Sequence, residues 1–586
     1  MVFKLIIVIV PFIIPYMIIG ENLGNLILSF IATIFLILNK EKISINKKYF
    51  YTLIFLNIIA VVSLFISDAY LESISGLFNY FNLLVYYLVL SVVLKDKEKI
   101  LKNIVLVVSV VCIYSIIVQG LYFDTRIYGN IGYANSYGLV LLISFYLNKI
   151  RIKDIWTSYV DMILILGIFF TGSRTTLVLL GVFLVAEVIK EIRISKILAI
   201  NILEPFLFAL IQYVIYSAMG IMSILVMPVI TYLYSIVRSL KWKQYIYLVG
   251  LVIVILLIVF SDSNTMARIR NISFTNGSFQ ERLVYFEDSM AAIKRNPLGN
   301  GINMFQYKQY GDSTAYYDVK YIHNSVLQIS YDIGIIGAIV FIALLIIGIV
   351  VIIKGTNKRL LVYGYITIFL HSLIDFDFAY STIGLLFVML VLLSENGDKY
   401  IYFKISKVIL VILLFVVTYL TMFEGSLAIA KIFSINNNSS IAIRFYNISD
   451  KIRVIGSDHR GYYGKAEVYK KIYDDTNDIS KLEESLSLLM KAEKINEYDP
   501  RVTWNLAYIY INIGDDKNAI KYMDKMIEQY RFYNGAYDMY CEYLKRRYID
   551  TGNLEYKNIQ NRVEKYKDVN LEKLNFKSKY MNNQLK

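Results

Sequence analysis

Tyr321-Ile322-His323-Asn324-Ser325-Val326-Leu327-Gln328, followed by Asp332-Ile333-Gly334, is where the reading of this chain turns. The stretch closes a polar loop from Ser261 to about Ser330 and runs straight into an apolar segment at about 331–353. On both sides of the loop the chain reads as one apolar helix after another. Of its 586 residues 57% are hydrophobic, and the mean hydropathy is +0.54. About half apolar is the usual ceiling for a soluble domain, and many segments pass the roughly 18 apolar residues that mark a membrane span. The fold class is therefore all-α: a polytopic membrane helix bundle.

Spans are predicted at about 2–20, 23–38, 49–67, 76–94, 100–118, 134–149, 155–171, 177–190, 197–218, 222–237, 245–260, 331–353, 360–374, 380–394 and 408–423. The first has one lysine and no small-residue cleavage pattern, so it reads as a retained helix rather than a signal peptide. The joining loops alternate in charge. One set holds Lys40, Lys42, Lys47 and Lys48; Lys95, Lys97 and Lys99; Lys149, Arg151 and Lys153; and Lys190, Arg193 and Lys196. It continues with Arg238, Lys241 and Lys243; Lys354, Lys358 and Arg359; and Lys399, Lys404 and Lys407. The opposite short loops hold only Arg126 and Arg174. The positive-inside rule makes the basic set cytoplasmic. The N-terminus then lies inside, and the long loop and C-terminal domain lie outside the cytoplasmic membrane. The formal charge of +14 is explained by these lysines and calls for no nucleic acid. The two cysteines, Cys112 and Cys541, make no disulfide framework or metal-ligand spacing.

The predicted outer face carries the chemistry. Arg126 opens Arg126-Ile127-Tyr128-Gly129-Asn130-Ile131-Gly132-Tyr133-Ala134-Asn135, a run of turn residues before a span. Arg174 lies in Thr171-Gly172-Ser173-Arg174-Thr175-Thr176, where its planar fork suits phosphate or carboxylate. A charge at the edge of hydrocarbon needs a partner or a task. The long loop carries Arg268, Arg270 and Arg282, then Asn296-Pro297-Leu298-Gly299-Asn300-Gly301. Leu283, Phe286, Met290 and Ile293 recur at helical spacing and predict a short amphipathic helix on the membrane surface. His371 stands beside Asp375 and Asp377 in a further outer turn. His323, one of only three histidines, can exchange a proton near neutral pH; the alternative for it is a helix-capping or interface role.

Three stretches together, Gly172-Ser173-Arg174-Thr175, Arg282 with Asn296–Gly301, and His323–Gln328 through Gly334, resemble the O-antigen ligase and polymerase-like superfamily of bacterial membrane glycosyltransferases. The resemblance covers roughly residues 100–395. It implies a helical bundle of the type-C-like glycosyltransferases that needs no metal or other cofactor. It also implies transfer of a glycan from an undecaprenyl-diphosphate donor to an acceptor hydroxyl at the outer face. Arg174 and Arg282 match the arginines that hold the diphosphate, and His323 the histidine that acts on the acceptor. Arg126, Asn135, Ser173, Asn324, Gln328 and His371 are candidates for substrate contact. Ligases, chain polymerases and protein O-glycosyltransferases share these motifs, so the glycan, lipid or protein acceptor stays open. The family often has about twelve spans, and the pair at about 197–237 is the apparent surplus. A lipid-linked sugar flippase or other transporter is the rival class, but its charges belong near mid-span.

The domains follow: a membrane domain over 1–423 with the large outer loop at about 261–330, a linker at 424–465, helical repeats at 466–550, and a basic tail at 551–586. Ser485 and Ala519, Leu489 and Met523, and Ala492 and Met526 are each thirty-four positions apart, the tetratricopeptide period. Asp499-Pro500-Arg501-Val502-Thr503-Trp504-Asn505-Leu506-Ala507-Tyr508 resembles the start of one such repeat. Such arrays bind partners on a concave face, which predicts docking of an acceptor or a partner protein; the alternative is a structural cap on the outer loop.

Overall fold

A computed structural model describes residues 2–151, 156–195, 200–239, 277–356, 358–394, 400–403, 405–453 and 458–572. The predicted span at 245–260, Arg268, Arg270 and the end of the basic tail lie outside these residues. The chain is an all-α polytopic membrane protein. Five described helical segments are long and apolar enough to cross a bilayer: Glu21–Leu38, Lys47–Ile66, Tyr70–Tyr122, Ser325–Lys354 and Lys407–Ile435. Phe3–Phe12, Thr157–Thr171, Val226–Val237 and Ser381–Ser394 are shorter apolar helices. Tyr70–Tyr122 is 53 residues long. As one straight helix it would run about 80 Å, more than twice the hydrocarbon thickness. It is broken at Leu94–Asp96, where Asp96 leaves the helical conformation and its side chain caps Lys99 N–H. These are two of the predicted spans, with the charges Lys95, Asp96 and Lys97 at the break.

The chain divides into two compact units. The first comprises Met1–Ile54, Asn79–Ser273 and Ile342–Phe415. Its helices are joined by polar side chains, as membrane interiors require. Asn25 Nδ2 donates to Asn79 Oδ1 at 2.6 Å and to the Ala379 carbonyl at 2.8 Å. Asn82 Nδ2 donates to the Asn25 carbonyl and to Ser381 Oγ. Every residue of Ser381–Ser394 is buried. Ile43–Asn46 pairs antiparallel with Tyr400–Phe403, with Ile43 opposite Phe403.

The second unit comprises Phe55–Phe78, Phe274–Phe341 and Val416–Lys586. The predicted surface helix forms as Gly277–Arg295, with a different buried stripe. Val284, Tyr285, Asp288 and Ala292 are buried, while Met290 is 44% exposed. The reason is tertiary: Tyr285, Ala292 and Ile293 pack on Ala315, Tyr317 and Ile322 of the loop that follows. The stretch 424–465, predicted as a linker, contains the end of Lys407–Ile435 and the whole helix Ser439–Ile452. After Ser439–Ile452 come three helical hairpins, the first beginning inside the predicted linker: Arg460–Thr476 with Ile479–Ile495, Pro500–Ile513 with Asp516–Gln529, and Asn534–Thr551 with Leu554–Glu572. Asp478, Asp499 and Asp515 cap helix N-termini, and Gly514 and Gly552 end helices in the left-handed region. All six residues of the thirty-four-residue period are buried.

An ionic knot ties this unit together. The Arg460 guanidinium reaches Asp458 at 2.7 Å, Glu424 at 2.8 Å and Glu72 at 3.7 Å. Glu72 also accepts from Tyr307 Oη and Gln306 Nε2. Buried carboxylates persist only when paired in this way.

Candidate active site

The sequence-predicted residues fall into two groups, one in each unit. In the first, the αL residue Gly172 (φ 57°) ends Thr157–Thr171, and Arg174 begins Arg174–Ser195. Arg126 lies across this turn. Its Nε donates to the Thr171 carbonyl at 2.6 Å and its Nη2 to Asn135 Oδ1 at 2.9 Å. Asn135 Nδ2 in turn donates to Tyr133 Oη and to Asp375 Oδ2, and Tyr133 Oη donates to Asp375 Oδ1 at 2.8 Å. Arg126 is thus fixed through Asn135 to a fully buried carboxylate.

Ser173 and His371 lie inside, not at the surface; they are 1% and 0% exposed. Thr176 Oγ1 donates to Ser173 Oγ at 2.9 Å and lies 3.3 Å from His371 Nε2. His371 Nδ1 is 2.7 Å from Asp377 Oδ2, and Ser136 Oγ donates to Asp377 Oδ1. These bonds hold the turn from beneath. Arg174, half-buried at the helix start, has no ion-pair partner among the described residues. Other basic residues of this unit do: Lys149 pairs with Asp161 at 2.6 Å and Arg359 with Glu187 at 2.9 Å.

Toward the other end of Thr157–Thr171 a groove of about 650 Å³ opens, lined chiefly by aliphatic side chains including Ile116, Leu121, Met162 and Leu166. Gln212, Thr231 and Ser235 are its polar lining. From Leu166 to Thr171 is about 8 Å of helix, so the groove and the arginine turn share one element.

In the second unit, His323 stands immediately before the helix Ser325–Lys354 with a left-handed backbone, φ 57°. Asn324 is the cap of that helix: its Oδ1 accepts from Val326 N–H and Leu327 N–H, both at 3.0 Å. Gln328 reaches back, accepting from Ile322 N–H at 2.9 Å and donating to Asp332 Oδ1 at 2.9 Å. Both side chains are spent on shaping the His323 turn. The imidazole faces the Tyr285 ring at 6.0 Å. Glu281 is one turn before Tyr285 on Gly277–Arg295, with Arg282 next in sequence. Burial raises the Glu281 carboxyl above its ordinary value, while Arg282 and His323 pull it the other way. Arg282 and His323 thus lie in electrostatic reach of one half-buried acid.

The Asn296–Gly301 motif and the Asp332–Gly334 motif are one feature. Asn300 N–H donates to the Tyr331 carbonyl at 2.7 Å and Ile335 N–H to the Pro297 carbonyl at 2.9 Å. A Cβ on Gly334 would sit 2.6 Å from Leu298 O, and one on Gly299 2.8 Å from Asp332 O. The glycines let two backbones touch. Glu281, Tyr285 and Asp288 were not singled out from sequence; their i, i+4, i+7 spacing is the signal that could have found them. No cluster of three or more metal-ligating side chains occurs among the described residues.

A protein-family model described as O-antigen ligase matches residues 206–342. No curated protein matches the chain. The matched stretch contains Arg282, His323, Asn324, Gln328 and both glycine motifs; Arg126, Asn135, Ser173, Arg174 and His371 precede or follow it. It also takes in most of the helix pair Ile200–Met219 and Ser223–Ser239, so the pair expected to be surplus falls within the match.

Proposed function

We propose that this membrane protein transfers a glycan from an undecaprenyl-diphosphate donor to an acceptor hydroxyl at the outer face of the cytoplasmic membrane. The observation that carries the reading is the O-antigen ligase match over the stretch that holds Arg282 and His323. In this reading the N-terminus is cytoplasmic, and the loop and the tetratricopeptide-like hairpins are outside. The donor's isoprenoid chain lies in the groove beside Thr157–Thr171. Arg174 and Arg282 are the residues that match the family's diphosphate-holding arginines, and Arg126 is hydrogen-bonded across the Arg174 turn.

The acceptor oxygen attacks the anomeric carbon. The new glycosidic C–O bond forms as the sugar–oxygen bond to the diphosphate breaks, and the lipid diphosphate leaves with the electron pair. Negative charge grows on that diphosphate, and fixed guanidiniums stabilise it without having to reorganise. They do here what a metal ion does in other glycan transferases. His323 accepts the acceptor proton or a hydrogen bond from the acceptor hydroxyl. Ser173 and His371 support the Arg174 turn, and Asn324 and Gln328 shape the His323 turn.

The test is the length distribution of lipid-linked glycan in cells lacking the protein, complemented with wild type or Arg174→Ala. Long finished chains on the lipid with a bare acceptor identify a ligase or protein glycosyltransferase. Accumulated single repeat units identify a polymerase. An unchanged pool would overturn glycan transfer and favour a transporter.

A further inference from the structure

The loop from Ser313 to Asn324 has neither helix nor strand, and His323 is near its end. Such a segment must find partners for its backbone elsewhere, and a left-handed histidine persists only where its surroundings over-determine it. The partners come from two sides. On one, Asp288 of Gly277–Arg295 accepts from Thr314 N–H at 3.0 Å, Thr314 Oγ1 at 2.9 Å and Tyr317 Oη at 2.9 Å. The Tyr317 ring packs on Tyr285 at 4.7 Å, and Tyr285 faces His323.

On the other side stands the turn that opens the last C-terminal hairpin. Arg531 Nη2 donates to the carbonyls of Gly311 at 3.2 Å and Ser313 at 2.6 Å. Tyr316 stacks on Tyr533 at 4.6 Å and 23°, and Tyr310 meets Tyr530 edge-on at 5.2 Å. Trp504 of the preceding hairpin closes on Tyr530 at 6.0 Å. The aromatic rings of this turn pack against the chain's own strap, Tyr310–Tyr317.

We propose that Arg531 and Tyr533 are positioning residues for His323, acting through this strap. The turn supplies two hydrogen bonds from Arg531 and two rings to a strap whose Tyr317 packs on Tyr285, the ring that faces the imidazole. What His323 does once held rests on the glycan-transfer reading; the holding rests on these contacts alone.

The test uses the full-length protein in lipid nanodiscs, as wild type, Arg531→Ala, Tyr533→Ala and Tyr533→Phe. Amide hydrogen exchange over 313–324 is read beside exchange in Asn534–Thr551, which reports whether the hairpin stays folded. Both alanine variants are expected to speed exchange in 313–324, while Asn534–Thr551 keeps its protection and Tyr533→Phe, which retains the ring, behaves as wild type. Transfer of lipid-linked glycan is expected to fall roughly ten- to a hundredfold in kcat, with KM for the donor little changed, because misplacing a reacting group costs rate rather than binding. Unchanged exchange over 313–324 in both alanine variants overturns the proposal, as does faster exchange with kcat intact. A wild-type protein that transfers no glycan, but whose loop still loosens in both alanine variants, sinks the functional reading and supports the positioning.

Discussion

His323 is held at φ 57°, a conformation that costs a side chain on the order of 1 kcal/mol. Histidine and asparagine tolerate it better than most residues. His323→Ala is expected to lower glycan transfer by ~10²–10⁴-fold if the imidazole moves the proton. His323→Asn keeps the backbone preference and a hydrogen-bonding tip but cannot take the proton. An Asn variant within about tenfold of wild type would make His323 a positioner rather than a base. Asp499 is a second residue with a sharp expectation. Burial opposes its charge, but hydrogen bonds from His459 and Arg501 outweigh that and hold its carboxyl below the ordinary 3.8. A depressed carboxyl contributes stability above its unfolded value and loses it as pH falls through the folded one. Asp499→Asn is therefore expected to lower the Tm of the C-terminal hairpins at pH 7 by an amount matching about 1–3 kcal/mol. The gap from wild type narrows as the pH drops below about 4; a gap that persists unchanged there refutes the assignment. His323 was legible as a scarce titratable residue at the junction of loop and span. Tyr285 and Asp288 were not, because their partners Tyr317 and Thr314 come from a different part of the loop.

The crossing of Asn296–Gly301 with Asp332–Gly334 is the element on which the His323 turn stands. Read from sequence, the glycines and Pro297 only interrupt helices. Folded, they bring two backbones into hydrogen-bonding contact, and Gly334 breaks Ser325–Lys354 at φ 85°. Gly334→Ala adds a methyl 2.6 Å from a carbonyl oxygen in a strained conformation. It is expected to destabilise by more than about 1–3 kcal/mol and to abolish transfer. Gly311→Ala, in a helix with nothing within 4 Å of its Cβ, is expected to leave Tm unchanged or raised. Thermal unfolding in detergent checks both, and equal effects would refute a structural role for the crossing. The helix Gly277–Arg295 carries the same lesson. Its apolar spacing was legible; its buried stripe was not, since the loop it packs against supplies tyrosines and an aspartate's partners rather than lipid.

For the whole molecule, orientation is the prediction to check. Leu298 is 68% exposed. In a Cys541→Ser background, Leu298→Cys is expected to react with a membrane-impermeant maleimide in intact cells; labelling only after permeabilisation would reverse the topology. Hydropathy by itself determined that this chain is a helical membrane protein, because apolar runs of span length have no other stable solvent. Residue type and order likewise determined which arginines and which histidine stand out, since charges at the edge of hydrocarbon are too costly to be incidental. Only the tertiary structure decided that Ser173 and His371 lie beneath the arginine turn, that Asn324 and Gln328 shape the histidine's loop, and that the C-terminal hairpins grip that loop. Those assignments depend on which side chains meet across long stretches of chain. Such contacts are set by packing and mutual satisfaction of buried polar groups, and no local pattern encodes them.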